Sequence, residues 1–480
     1  MKTHNLKDKL SRRRFLQSAA GLGFLAACGS KPAGAGNASP AGGAGFKLVI
    51  KNGKAFINGA WQTPFIGVTH DGRLKISATE LPGAAVIDAQ NRVVSTGFVD
   101  ILADNTLNWQ AIFPIFEKYK VADGVTTALQ MHGGNEDVAA FYNFMRPKKH
   151  WVNYGVSTFV MMIRNRTRGL GAQLAAIERN LANGALGVSH SAEYQPATRY
   201  GEMVEYAKLA KKYERTFFLH LRYSSREREL EGVDEAVRIA KETGVRFHID
   251  HLNSTGGTFQ MAEALRRIKQ ANAAGCRITA CVYPYSFWAT YIASERFSGD
   301  WQGRYGLTYT DLTVVGTGER VTQQTFPAFR RRPGVLVAVP EGTMPFASTV
   351  DLALREDFCM IGSDGGIQRD ARANNHPRGA GCFATAVRHG LSIGLPLEKV
   401  LEKITTLPRL LVLPAMQERG MLADGFLADL VIFDPNAIAG GATVANPNQF
   451  SKGIDGVIVN GEIAYQNGAL AKQNGAAVRA

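Results

Sequence analysis

Cysteine is scarce: the 480 residues hold five, and none falls in a Cys-x-x-Cys pair. That excludes a disulfide framework and a thiolate zinc ribbon, and a chain this long needs neither to fold. Long apolar runs are missing too. The stretch from Phe15 to Ala27 is apolar but rich in Ala and Gly, and too short to span a bilayer as a helix. Negative charge is in deficit, with 41 Asp and Glu against 55 Lys and Arg, a formal net charge of +14. Six of the basic residues, against Asp8 alone, stand within the first 28 positions, so the remainder carries +9. Apart from Arg330, Arg331 and Arg332 those charges are scattered, and no nucleic-acid-binding motif accompanies them. The surplus reads as solvated surface, and no nucleic-acid partner is expected.

The first 28 residues carry two targeting patterns in order. Ser11-Arg12-Arg13-Arg14-Phe15-Leu16-Gln17 has the form of a twin-arginine export motif. Leu25-Ala26-Ala27-Cys28 closes the apolar stretch as a lipobox does, with Cys28 the residue that takes the lipid. Residues 29–45, rich in Gly, Ala, Ser and Pro, form a flexible tether. The expectation is an exported lipoprotein, anchored to a membrane through Cys28 and facing the periplasm or cell exterior. Of the other cysteines, Cys281 and Cys359 lie in strand-like apolar runs, where a buried free thiol is the default.

From residue 46 the chain alternates short apolar strands with Gly-bearing turns, and residues 416–480 end in the same way. Two β segments at opposite ends of an α/β stretch predict a small β-sandwich built from 46–96 and 416–480. Between them lie eight strand-like runs: 97–102, 124–131, 154–163, 185–191, 216–221, 246–252, 276–285 and 358–365. Helical-period segments separate most of them, so 97–415 is expected to form a closed (β/α)₈ TIM-type barrel. Residues 286–345, between the seventh and eighth strands, exceed a simple connection and are expected to fold over the barrel mouth.

Catalytic groups in such a barrel stand at the C-terminal ends of strands. His220 ends the fifth, His251 the sixth and Asp364 the eighth. Two imidazoles and a carboxylate converging there suit a first-row metal ion and a base. Strict alternation places His251 with Ile249, inward, and sends His248 and Asp250 toward the outer helices.

The segments GALGVSHSAEYQP, FFLHLR, FHIDHLNS, VYPY, GERVT, GSDG, HPRGAGCFA and ITTLPRLLVLPAMQERGMLADGFLADLVIFDP resemble the N-acyl-D-amino-acid deacylase branch of the amidohydrolase superfamily. The resemblance runs from about Phe46 to about Gly468. It implies a metal-dependent hydrolase of a linear C–N amide bond other than a peptide bond. Zinc would sit on His220 and His251, with Asp364 as general acid and base. Arg378 and Tyr283 would hold the carboxylate of a small-molecule substrate, with Arg222 and His376 in the same motifs beside them. Two departures stand out. Where relatives end the first strand in His-x-His, this chain has Leu102 and Asp104, and Leu102 cannot bind a metal. Where they carry a cysteine or glutamate after the second strand, it has His132, which could complete a three-ligand site; Asp104 is the other candidate ligand. The fourth strand has no lysine to bridge two metals, so one ion per chain is expected, as zinc. Should Asp364 not act as base, Asp104 and Glu193 stand next. Rival readings are a lipid-anchored binding protein with a decayed metal site and a cyclic-amide hydrolase.

Overall fold

Runs of β-branched and aromatic residues, each leading into an amphipathic helix, pair side by side in chain order. The computed structural model describes residues 45–103, 109–366 and 376–480. The export motif, Cys28, nearly all of the tether and Asp104 lie outside them. The barrel strands are Phe98–Asp100 (β1), Val125–Asn135 (β2), Asn153–Phe159 (β3), Gly187–Ser191 (β4), Thr216–His220 (β5), Arg246–Ile249 (β6), Arg277–Val282 (β7) and Cys359–Ile361 (β8). They form one eight-stranded sheet in sequence order, every pair parallel, and among the described residues a single bridge between Ala103 and Gly365 joins its two edges. The expected TIM-type barrel is present.

The helix Glu229–Thr243 shows how the surrounding layer is specified. It buries Val233, Ala236, Ile239 and Ala240 along one stripe and stops at Gly244, which takes a left-handed φ of 62°. One strand is shorter than its apolar run suggests. The run 154–163 leaves β3 at Phe159 and continues as the helix Val160–Arg166, which buries Val160 and Ile163. An unbroken apolar run fits strand and helix equally, and here a spacing of three turns both residues inward.

The ends of the chain share two further sheets. Phe46–Lys51, Phe65–Val68, Leu74–Ser77 and Gly83–Asp88 form one. Val93–Thr96 instead edges a sheet whose other strands are C-terminal, pairing antiparallel with Leu430–Phe433. Leu48, Ile50 and Val68 pack with Leu430, Ile432 and Ile458 in one apolar cluster. The last residues depart from the expected 416–480 unit. The Val478 amide donates to the Tyr154 carbonyl at 2.7 Å, and its side chain joins Leu129, Leu186 and Phe218 in the barrel interior. Burying a valine there gives the tail more than a sheet edge would.

Between β7 and β8 the long connection folds on itself. Leu336–Ala338 pairs antiparallel with both Ala289–Tyr291 and Thr313–Val314. Beside this sheet Trp301 stacks on Phe326 with ring centroids 5.5 Å apart. The same segment supplies Trp288, Thr290, Arg296 and Leu336 to the cavity in the barrel mouth.

Candidate functional site

The cavity, about 390 Å³, opens over the C-terminal ends of the barrel strands. At its floor the rings of His132, His220 and His251 converge, all buried, with ligand nitrogens within 4.8 Å of one another. His220 is the last residue of β5. His251 lies past the end of β6 with a φ of 27°, and Asp364 past β8 with a φ of 47°. Non-glycine residues held in that region store backbone strain, of order 1–3 kcal/mol each, and such residues cluster at functional sites.

His220 Nδ1 lies 3.1 Å from His251 Nε2. Two nitrogens each about 2.0–2.1 Å from a tetrahedral zinc ion stand about 3.3 Å apart, so this spacing suits the ion. The remaining nitrogen of each ring is occupied. His132 Nδ1 meets Asp250 Oδ2 at 2.9 Å, His220 Nε2 meets Glu193 Oε2 at 2.8 Å, and His251 Nδ1 meets Ser254 Oγ at 3.0 Å. Rear partners of this kind set the tautomer and angle of metal-binding histidines. Burial holds the pKa of both His220 and His251 well below 6.5, which keeps them in the neutral form that binds metal. For His132 burial acts in the same direction, but Asp250 outweighs it and raises the pKa. The donor set therefore fits one ion with three nitrogen ligands and an open position.

Nothing comparable exists on the β1 side among the described residues. Leu102 is fully buried in the apolar base and lies against Gly362. Cys281 shares that base, and its Sγ accepts the His251 amide at 3.2 Å.

Asp364 Oδ2 stands 3.9 Å from His251 Nε2. Arg378 grips the same residue twice, Nη2 to Oδ2 at 2.6 Å and Nε to the Asp364 carbonyl at 2.7 Å. Burial by itself would raise the Asp364 pKa; Arg378 first, then the neighbouring histidines, bring it down to about 2. Arg378 also lies over the Tyr283 ring, 4.4 Å from its centroid. Among the described residues, Arg378 Nη1 and the Tyr283 hydroxyl are buried without a hydrogen-bond partner. His376 stacks on Phe287 and accepts the Arg378 amide on Nδ1 at 3.0 Å.

The structure thus brings His132, His220, His251, Asp364, Arg378, Tyr283 and His376 to one cavity. Arg222 is not among its lining residues. Past the end of β5 its side chain turns back to the outer helices, with Nε on Glu235 at 3.0 Å and Nη1 on the Pro196 carbonyl at 3.1 Å. Asp250 is the converse correction. Expected to face outward, it meets His132, because β6 ends at Ile249 and alternation has no hold on the turn beyond. Sequence reasoning passed over Arg296 entirely. It is buried, 3.3 Å from Glu193 Oε2 through Nε and over the Trp288 ring. Its one signal is its place in the long β7–β8 segment.

The amidohydrolase family model matches residues 118–464. An N-acyl-D-glutamate deacylase of Alcaligenes xylosoxydans xylosoxydans is 26% identical over 432 residues, 79% of this chain and 85% of that protein. A D-aminoacylase of the same organism is 29% identical over 298 residues, 60% of each chain. Among solved structures, an N-acyl-D-glutamate deacylase from Bordetella bronchiseptica, complexed with zinc and a phosphonate inhibitor, superposes with a TM-score of 0.75 at 22% identity, covering 91% of this chain and all of that one. With the family model spanning most of its length, the chain belongs to the amidohydrolase family.

Proposed function

We propose that the protein is a mononuclear zinc amidohydrolase that deacylates an N-acyl-D-amino acid. The observation carrying this reading is the buried three-imidazole cluster, each ring fixed from behind, beside an ionised Asp364. When bound, the ion supplies Lewis acidity, polarising an amide carbonyl and acidifying a water molecule. Asp364 takes the water's proton on its carboxylate and passes it to the departing amine nitrogen. The Tyr283 hydroxyl and Arg378 Nη1, both buried donors without partners among the described residues, are placed to bind the substrate carboxylate. Phe159, Met161 and Leu336 give the cavity lining an apolar portion that suits an acyl group or apolar side chain. Leu102 in the base takes away a ligand that a second ion would need, so one zinc per chain is the stoichiometry proposed.

The names of the relatives support the D-amino-acid class. The N-terminal motifs support export by the twin-arginine route and anchoring at Cys28, outside the cytoplasm. The decisive experiment pairs metal content with release of free amine from N-acyl-D- and N-acyl-L-amino acids and a cyclic amide. One zinc per chain with turnover of the D series is expected. Protein that stays metal-free after reconstitution and turns over nothing would instead be a binding protein, and two tightly bound ions would overturn the mononuclear site.

A further inference from the structure

We infer that Asp250 is the positioning residue of the metal centre, acting through His132. The inference rests on the three-histidine site proposed above and goes beyond it. It assigns a role to a residue that strand alternation directs away from the cavity.

His132 is poorly held by its own strand. β2 pairs with β3 in register from Thr127 opposite Asn153 to Gln130 opposite Val156, and then jumps to Asn135 opposite Thr158. Met131 to Gly134 form the irregularity between, and Gly134 takes a φ of 74°. A bulge re-aims a side chain but does not pin it, because the ladder hydrogen bonds that fix a strand residue are interrupted there. Something outside β2 has to set the angle of the imidazole.

Asp250 is placed to do so. The ladder of β6 runs with β5 as far as Leu219 opposite Ile249. The Asp250 amide then donates to the Leu219 carbonyl at 3.0 Å, and His251 enters the left-handed region. That turn brings His251, a proposed ligand, into the cavity lining and sets the preceding Asp250 carboxylate against His132.

Among the described residues the Asp250 side chain makes one hydrogen bond, to His132 Nδ1 at 2.9 Å, and its Oδ1 has no partner. A fully buried carboxylate with so little compensation is costly to the fold. A purely structural aspartate would be expected to gather backbone amides, as Glu229 does from Thr258 and Phe259. With Nδ1–H committed to Asp250, His132 is left to present Nε2 to His220 and His251. Carboxylate, imidazole and ion in that order form the usual outer shell of a zinc site.

The test measures zinc affinity by chelator competition for wild type, Asp250→Ala, Asp250→Asn, His132→Ala and the double variant Asp250→Ala/His132→Ala. Thermal unfolding of each zinc-free protein accompanies it. Asp250→Ala should weaken zinc by about 10–100-fold. Asn keeps the shape and one acceptor, so Asp250→Asn should lose less, about 3–10-fold. In the His132→Ala background removal of Asp250 should weaken zinc no further, since the two act as one unit. Additive losses, or Asp250→Ala with wild-type affinity, overturn the proposal. Should Asp250→Ala fail to fold, Asp250→Asn carries the test, and a loss smaller than about threefold overturns it. Wild-type protein that binds no zinc fails earlier and differently, at the metal site itself.

Discussion

Asp364 is where chemistry and stability meet in one side chain. It stands beside His251 and is gripped twice by Arg378. Asp364→Asn keeps the size and an acceptor but removes the group that takes a proton. General acid–base contributions run to about 10²–10⁴-fold, so kcat should fall by that order at unchanged zinc content. The same change leaves the buried Arg378 without its counter-charge. Asparagine still accepts from Nη2, so the stability cost should be about 1–3 kcal/mol, read by urea denaturation. A variant with near-wild-type kcat at full zinc loading would remove Asp364 from the mechanism. His220, His251 and Asp364 all line the cavity, His220 as the last residue of its strand and the other two from the turns just past theirs. Asp250 escaped because alternation says nothing once the strand has stopped.

Among the elements, the seam between β1 and β8 is the thin place in the barrel. Among the described residues one backbone bridge crosses it, between Ala103 and Gly365. Side chains do the rest. Asp100 receives the Ser363 amide at 3.0 Å and its hydroxyl at 2.6 Å, and pairs with Lys120 Nζ at 2.9 Å. Lys120 also donates to Ser363 Oγ at 3.0 Å, and both charges are buried. Asp100→Ala strands the lysine charge in the core, and breaking a buried pair from one side costs about 3–5 kcal/mol. Adding Lys120→Met should recover part of that loss in chemical denaturation. If Asp100→Ala is no less stable than wild type, the seam is held by backbone and packing alone. Asp364 follows Ser363 directly, so a loosened seam should lower kcat as well as stability.

At the scale of the whole molecule, buried ionisable groups set how folding responds to pH. Burial, with Arg164 and Arg222 adding to it, pushes His190 down to about 3; burial and then His251 do the same for His248. An unfolded chain protonates its histidines near pH 6.5, so folding excludes these protons between about 6.5 and 3. Stability present above that window is lost as pH falls through it, by about 1.4 kcal/mol per pH unit for each histidine. Asp123 and Glu229, both raised to about 7 chiefly by burial, act in the opposite sense. The histidine share therefore shows as a difference. Relative to His190→Gln, wild type should lose about 1.4 kcal/mol per pH unit below 6.5 in urea denaturation at stepped pH. A difference that does not vary with pH would show that His190 takes up its proton equally in the folded and unfolded protein. Location is a property of the whole chain too, since in sequence residues 29–45 lie between the proposed anchor at Cys28 and the strand Phe46–Lys51. Cys28→Ala should release the protein from membrane fractions with barrel stability unchanged, and membrane retention of that variant would refute the lipobox.

The amino-acid sequence specified the barrel, its eight strands in order and the terminal sheets. Each of these follows from periodicity, which is local and repeats along the chain. It also determined, through Leu102, that β1 brings no histidine to a metal. Tertiary structure alone decided the rest, because each remaining feature joins segments far apart in the chain. The irregular end of β2 needed the turn after β6 before His132 and Asp250 could meet. Arg222 was claimed by Glu235 on an outer helix, while Arg296 reached Glu193 from the insertion. The C-terminal tail found its place beneath β3, where Val478 could be buried and Tyr154 could accept its amide. Periodicity specifies which face of an element is buried; which polar groups meet at the element's end is settled only when the elements pack.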